Sequence, residues 1–209
     1  MTDILLVRHG ESVWNATGRW QGWADPPLSE LGRRQARLAA AAVTDVLADA
    51  GTDVAAVVSS DLRRAHDTAR ILTSALGLGP VSVEPDLRER HVGEWTGLTR
   101  SDIEARWTNA ARLLAPPRRP PGGERIETFT DRVLGALERV AGRHRGVGVL
   151  AVAHGGVIRT VERHLHLAFE PLPNLGGLWV SIDGGGLAAG GRVLLLDPSE
   201  VPVTAPSPR

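Results

Sequence analysis

Short, wholly apolar runs alternate with longer stretches of helical periodicity along most of the chain. "DILLV" (3–7), "VAAVVSS" (54–60), "VSVEP" (81–85) and "VGVLAVA" (147–153) are rich in Val, Ile and Leu. They lack the polar alternation of a one-sided strand, which predicts strands buried on both faces. Residues 29–50 read as a helix, with Ser29 as N-cap, Leu31, Leu38, Ala42 and Val46 at helical spacing, and Gly51 as its stop. Residues 62–76 repeat the scheme between Asp61 and Gly77. "SDIE" announces a third helix through a capping box of Ser101 and Glu104. A fourth runs from about 124 to 144 with Ile126, Phe129, Val133, Leu137 and Val140 on one side, and a last major one follows "AHGG" (153–156). "LWVSI" (178–182) and "VLLL" (193–196) flank the Gly-rich "DGGGLAAGGR" (183–192), which reads as a hairpin loop.

The alternation predicts an α/β fold of three layers, helices covering both faces of a mostly parallel central sheet. A chain of 209 residues with no internal repeat and no long linker is expected to form one domain, residues 1–197. "APPRRPPGG" (115–123) is a stiff loop, and residues 198–209 are expected to be a disordered Pro-rich tail.

Composition changes the picture chiefly by exclusion. Lys+Arg 24 cancels Asp+Glu 24, so no global field recruits nucleic acid or an anionic membrane, and any anion recognition must be local. The absence of cysteine removes disulfides, cysteine metal sites and thiol nucleophiles. All 24 basic residues are arginine, which excludes Schiff-base chemistry and the lysine of a P-loop. No basic leader opens the chain, and no apolar run approaches the roughly 20 residues of a membrane span, so a cytoplasmic location is expected.

In parallel sheets, ligands bind beyond the carboxyl ends of strands. The first strand delivers Arg8, His9 and Gly10 there; the second delivers Ser59 and Ser60, then Arg63 and Arg64. The third is followed by Glu89, and the "VGVLAVA" strand ends in His154, Gly155 and Gly156. Guanidinium forks and helix N-termini suit a tetrahedral dianion. A neutral imidazole can attack phosphorus, and a carboxyl can protonate a departing alkoxide and later activate water. The combination reads as phosphoryl transfer through a phosphohistidine, without metal or cofactor. Taken singly, each residue has an ordinary explanation: a satisfied structural histidine for His9 or His154, a solvated arginine for Arg63, a surface ion pair for Glu89. Their coincidence at successive strand ends favours the functional reading. Other motifs fall short: "GVGVLA" enters a strand instead of leaving one, the histidines of "HLH" (164–166) point apart on a helix, and His66-Asp67 reads as a surface pair.

"VRHGESVWN", "QGWADPPLSELGRRQA", "SSDLRRAHDTA", "LRERHVGEWTGL", "PPGGE" and "AVAHGG", in this order over roughly residues 4–170, resemble the histidine phosphatase (phosphoglycerate mutase-like) superfamily. The resemblance implies His9 as the phosphorylated nucleophile and Arg8 as a phosphate ligand. It implies Arg64, not Arg63, as a second ligand, Glu89 as proton donor and acceptor, and protonated His154 as a further ligand. Asn15 and groups around Gln21, Gly22 and Gly155 match positions lining the phosphate pocket. The family holds both phosphatases and mutases. Mutases carry a longer insertion with a tyrosine, a lysine and paired arginines, whereas here Tyr and Lys are absent and only about 25 residues separate Gly97 from "GGE". Hydrolysis of a small phosphomonoester, a sugar phosphate or phosphoglycerate derivative, is therefore expected; the alternatives are a mutase and a non-catalytic phosphate-recognising module. "SSDLRRAHDTA", "GLTRSDIEA" and "NLGG" resemble actinobacterial members that act on glucosyl-3-phosphoglycerate or on several phosphomonoesters. Arg118 and Arg119 are candidates for a substrate carboxylate, and Trp20, Trp95 and Trp107 for a wall of the site or for core packing. A homodimer is compatible with the family but marked by no sequence feature.

Overall fold

The computed structural model describes residues 1–115, 118 and 120–197. Arg119 and the expected tail, 198–209, lie outside them. Six strands, β1 (Thr2–Arg8), β2 (Val54–Ser59), β3 (Ser82–Val83), β4 (Gly148–Ala153), β5 (Gly176–Asp183) and β6 (Gly186–Leu194), form one sheet in the order β3-β2-β4-β1-β5-β6. Pairings β1–β4, β2–β4 and β2–β3 are parallel; β1–β5 and β5–β6 are antiparallel. Seven helices accompany it: α1 (Val13–Ala16), α2 (Glu30–Asp49), α3 (Arg63–Leu76), α4 (Arg100–Arg106), α5 (Ala110–Leu114), α6 (Ile126–Arg143) and α7 (Gly155–His164).

The continuous apolar strands divide their residues between two cores by simple alternation. Ile4 and Leu6 of β1 join Val149 and Ala151 of β4 beneath Phe129, Val133 and Leu137 of α6 and Val157 and Val161 of α7. Leu5 and Val7 join Leu150 and Val152 beneath Ala39 and Val43 of α2 and Ala65, Ala69 and Leu72 of α3. Each large side chain buried in this way contributes about 1.5–3 kcal/mol, so β1 and β4 are fixed at the centre of the sheet. A third cluster, Val92, Trp95, Ile103, Ala110 and Leu114 with Trp20 and Trp107 against it, supports the segment beyond β3.

Several elements depart in detail from the sequence expectation. The buried face of α2 is Gly32, Gln35, Ala36, Ala39, Ala40, Val43 and Leu47, while Leu38 is exposed. The cause is a close approach: a Cβ on Gly32 would lie 1.9 Å from the Glu11 carbonyl oxygen, so small residues face inward. Asp61 does not cap α3. It takes the Arg88 guanidinium instead, and Leu62 stands at the N-cap without a side-chain bond. The capping box of α4 is Thr99 with Asp102; Glu104 accepts from Arg100 one turn away. The Gly-rich stretch is mostly strand, because Gly184 and Gly185 alone make the turn and β6 is an edge. Gly190 there lies under Trp179, whose Cβ a side chain would meet at 2.7 Å.

Candidate active site

Register alone brings the two histidines together. Arg8 pairs with Ala153, and the His9 amide donates to the Ala153 carbonyl (3.0 Å), so β1 and β4 end side by side and release His9 and His154 at adjacent positions. Their ring centroids are 5.1 Å apart, edge to face. Arg8, His9, Asn15, Gln21, Gly22, Arg64, Glu89 and Gly155 all line one cavity of about 510 Å3. Arg63, by contrast, is exposed, and its backbone N–H donates to Asp25 (2.7 Å).

His9 has a fixed tautomer. Its Nδ1 lies 2.6 Å from the Gly10 carbonyl oxygen, which can only accept, so Nδ1 carries the hydrogen and Nε2 keeps its lone pair. The backbone around it is clamped by Asn174 Nδ2 donating to the His9 carbonyl (2.9 Å) and by the Gly10 N–H donating to Thr68 on α3 (3.1 Å). His154, fully buried at the N-cap of α7, has no hydrogen-bond partner at either ring nitrogen among the described residues. Arg8 donates to the Leu172 carbonyl (2.6 Å). Arg64 donates to the carbonyls of Ala24 (2.8 Å) and Gly22 (2.9 Å), and its buried Nε has no partner. Gln21 accepts from Ser12 (2.8 Å), and Asn15 caps the same short turn through Oδ1, which accepts from the Ser12 N–H (3.1 Å).

Burial and mutual repulsion set the charges. Arg8 is lowered to about 10 by burial and by Arg159, and Arg64 to about 10 by burial against the opposing pull of Glu89 and Asp25; both remain cationic at neutral pH. Burial, then Arg64 and Arg8, hold His9 well below its ordinary value. Burial, Arg64 and His9 do the same to His154. At pH 7 both rings are therefore neutral, which suits His9 as a nucleophile but corrects the expectation of a protonated His154. Below the unfolded-state value of about 6.5 the unfolded chain binds protons that the folded rings refuse, so stability falls with pH. Denaturant unfolding at pH 7, 6 and 5.5 should show this loss, and His154→Gln should flatten it. An unchanged slope in that variant would assign the loss elsewhere.

Glu89 is gripped from three directions. Its Oε2 accepts from the Gly156 N–H at the start of α7 (3.0 Å), Oε1 accepts from the Arg90 N–H (2.8 Å), and its carbonyl accepts from Trp23 Nε1 (2.8 Å). Arg132, paired with Glu124, donates to the Arg88 carbonyl (3.0 Å) beside it. Trp23, Arg132 and Asn174 did not stand out in the sequence, because each acts through contacts between distant segments. Trp20 and Trp95 line the cavity, whereas Trp107 packs against the third core cluster.

A sheet that converges this much positive charge and unpaired imidazole on one carboxyl end is built to take a phosphoryl group. The chain belongs to the histidine phosphatase superfamily (branch 1), whose family pattern matches residues 4–177. It is 39% identical over 165 residues to a metal-independent phosphoserine phosphatase of Arabidopsis thaliana, covering 77% of this chain and 67% of that one. It is 37% identical over 200 residues to a glucosyl-3-phosphoglycerate phosphatase of Mycolicibacterium vanbaalenii, covering 87% and 84%. A mycobacterial glucosyl-3-phosphoglycerate phosphatase solved in complex with VO3 superposes with a TM-score of 0.74 at 31% identity, over 90% of this chain and 97% of that one. YhfR of Bacillus stearothermophilus gives 0.75 at 31% identity over 90% and 95%. Among the described residues no helix is long and apolar enough to cross a membrane.

Proposed function

We propose that the protein hydrolyses small phosphomonoesters in two displacements through a phosphohistidine on His9. The observation that carries this reading is the fixed tautomer of His9, whose Nε2 lone pair opens beside two buried arginines. In the first step Nε2 attacks phosphorus, the ester P–O bond breaks, and the leaving alkoxide takes a proton from the Glu89 carboxyl. Arg8 and Arg64 hold the equatorial oxygens as negative charge moves outward. In the second step a water gives its proton to Glu89 and attacks phosphorus, the P–N bond breaks, and inorganic phosphate leaves with the enzyme restored. His154 offers a ring N–H to the phosphoryl group. A bound dianion offsets the guanidiniums that depress its pKa, so its protonation is coupled to substrate binding.

The names of the relatives support a phosphorylated metabolite as substrate, and the absence of any tyrosine or lysine removes the carboxylate grip expected of a mutase. The reading carries with it a cytoplasmic location. Rapid quench with a radiolabelled phosphomonoester tests the chemistry. Label stable to base, labile to acid and lost in His9→Ala is the expected result. No turnover and no label across sugar phosphates, phosphoglycerates and nucleotides would leave only a phosphate-recognising module.

A further inference from the structure

The cavity holds more positive charge than one phosphoryl group requires. Seven arginines line it against two glutamates, Glu89 and Glu162, and neither carboxylate is at liberty: Glu89 is held by backbone N–H groups, and Glu162 pairs with Arg192. Arg8 and Arg64 belong to the phosphate cradle. Arg159 does not. It lies on α7 four residues beyond Gly155, one helical turn from the cradle, on the face that lines the same cavity. A Cβ placed on Gly155 would stand 3.5 Å from Arg8 Nε and 3.8 Å from Arg159 Nη2, so the two guanidiniums flank one point of the backbone. Phe169 supports Arg159 from the side, its ring centroid 5.9 Å from the Arg159 guanidinium carbon, and Arg118 is stacked over Trp20 at 5.0 Å. Arg159 depresses the pKa of both Arg8 and Arg118, the mark of cations grouped without a matching anion.

We infer that Arg159, assisted by Arg118, forms a second anion subsite that selects phosphomonoesters whose alcohol part carries another anionic group a few bonds from phosphorus. One turn of helix sets the spacing between the cradle and this group. A carboxylate or a second phosphate both match a guanidinium fork. The inference rests on the phosphomonoesterase reading and names the class of substrate that the site accepts.

The test compares molecules that differ in that group alone: 3-phosphoglycerate against glycerol 3-phosphate, and fructose 1,6-bisphosphate against fructose 6-phosphate. The wild-type enzyme should prefer the more anionic member of at least one pair. Arg159→Gln should cut kcat/KM for that member about 10- to 100-fold, mainly through KM, and leave the other nearly unchanged. Arg159→Lys should recover part of the loss. Discrimination confined to the first pair assigns a carboxylate, and to the second a phosphate. Equal losses on both members, or a wild type indifferent to the second anion, would overturn the inference and leave Arg159 acting only through Arg8. Calorimetric binding of 3-phosphoglycerate and glycerol 3-phosphate to wild type and Arg159→Gln reads the subsite without turnover. An enzyme that binds selectively but hydrolyses neither would thus refute the proposed function and keep the subsite.

Discussion

Arg64→Ala is expected to lower kcat/KM for phosphomonoester hydrolysis about 10²- to 10³-fold, the usual cost of one transition-state donor, while Arg63→Ala stays within a few-fold of wild type. Sequence alone sets the two arginines side by side at the start of α3. The fold separates them, since Arg64 is 1% exposed and lines the cavity whereas Arg63 faces solvent and contributes through its backbone N–H. Arg64 has a second duty that the assay must resolve. It fastens the 22–24 segment through two carbonyls, so alanine also frees the loop that carries Gly22. Arg64→Lys separates the parts. It restores charge but, as a single point donor, cannot span both carbonyls and a phosphate oxygen. Its kcat/KM should fall between alanine and wild type, with a melting temperature nearer wild type. Equal losses for Arg63→Ala and Arg64→Ala would remove Arg64 from the cradle.

The parts legible in the sequence were those governed by strong, local rules. Buried strands on a parallel sheet cannot carry polar groups except at their ends, so "LLVRHG" and "AVAHGG" announced both the strands and the rim where their histidines meet. The failures share a cause as well. Hydrophobic patterning finds large apolar residues, yet α2 approaches the 10–12 loop so closely that Gly32, Ala36 and Ala39 face inward and Leu38 is left outside. Caps were misplaced where two candidates lay within a few residues and tertiary partners chose between them, as Arg88 did by claiming Asp61. Arg159 was readable in principle, because it falls four residues after Gly155 and so returns to the same rim. Trp23 and Arg132 were not, since nothing in their neighbourhoods points to Glu89.

The most discriminating substitution is a single methyl group. Gly156→Ala places a Cβ 1.9 Å from Glu89 Oε1 and 2.8 Å from its Cδ, and the clash must be relieved by moving the carboxylate. The backbone of Glu89 cannot retreat, being held through its carbonyl by Trp23. The helix itself gains, because alanine is favoured over glycine in a helix by about 0.5–1 kcal/mol. Stability and activity should therefore move in opposite directions: a melting temperature unchanged or raised, and a kcat lowered about 10²- to 10⁴-fold, the usual contribution of a positioned acid or base. The loss should depend on the leaving group. An alkyl phosphate needs protonation as it departs, whereas a nitrophenolate leaves without it, so phosphorylation of His9 by p-nitrophenyl phosphate should be nearly spared. Its hydrolysis still needs a base. Gly156→Ala should then accumulate labelled phosphohistidine with the aryl substrate and almost none with the alkyl one. Equal loss with both substrates and no accumulation would mean that Glu89 is not the group that moves the proton.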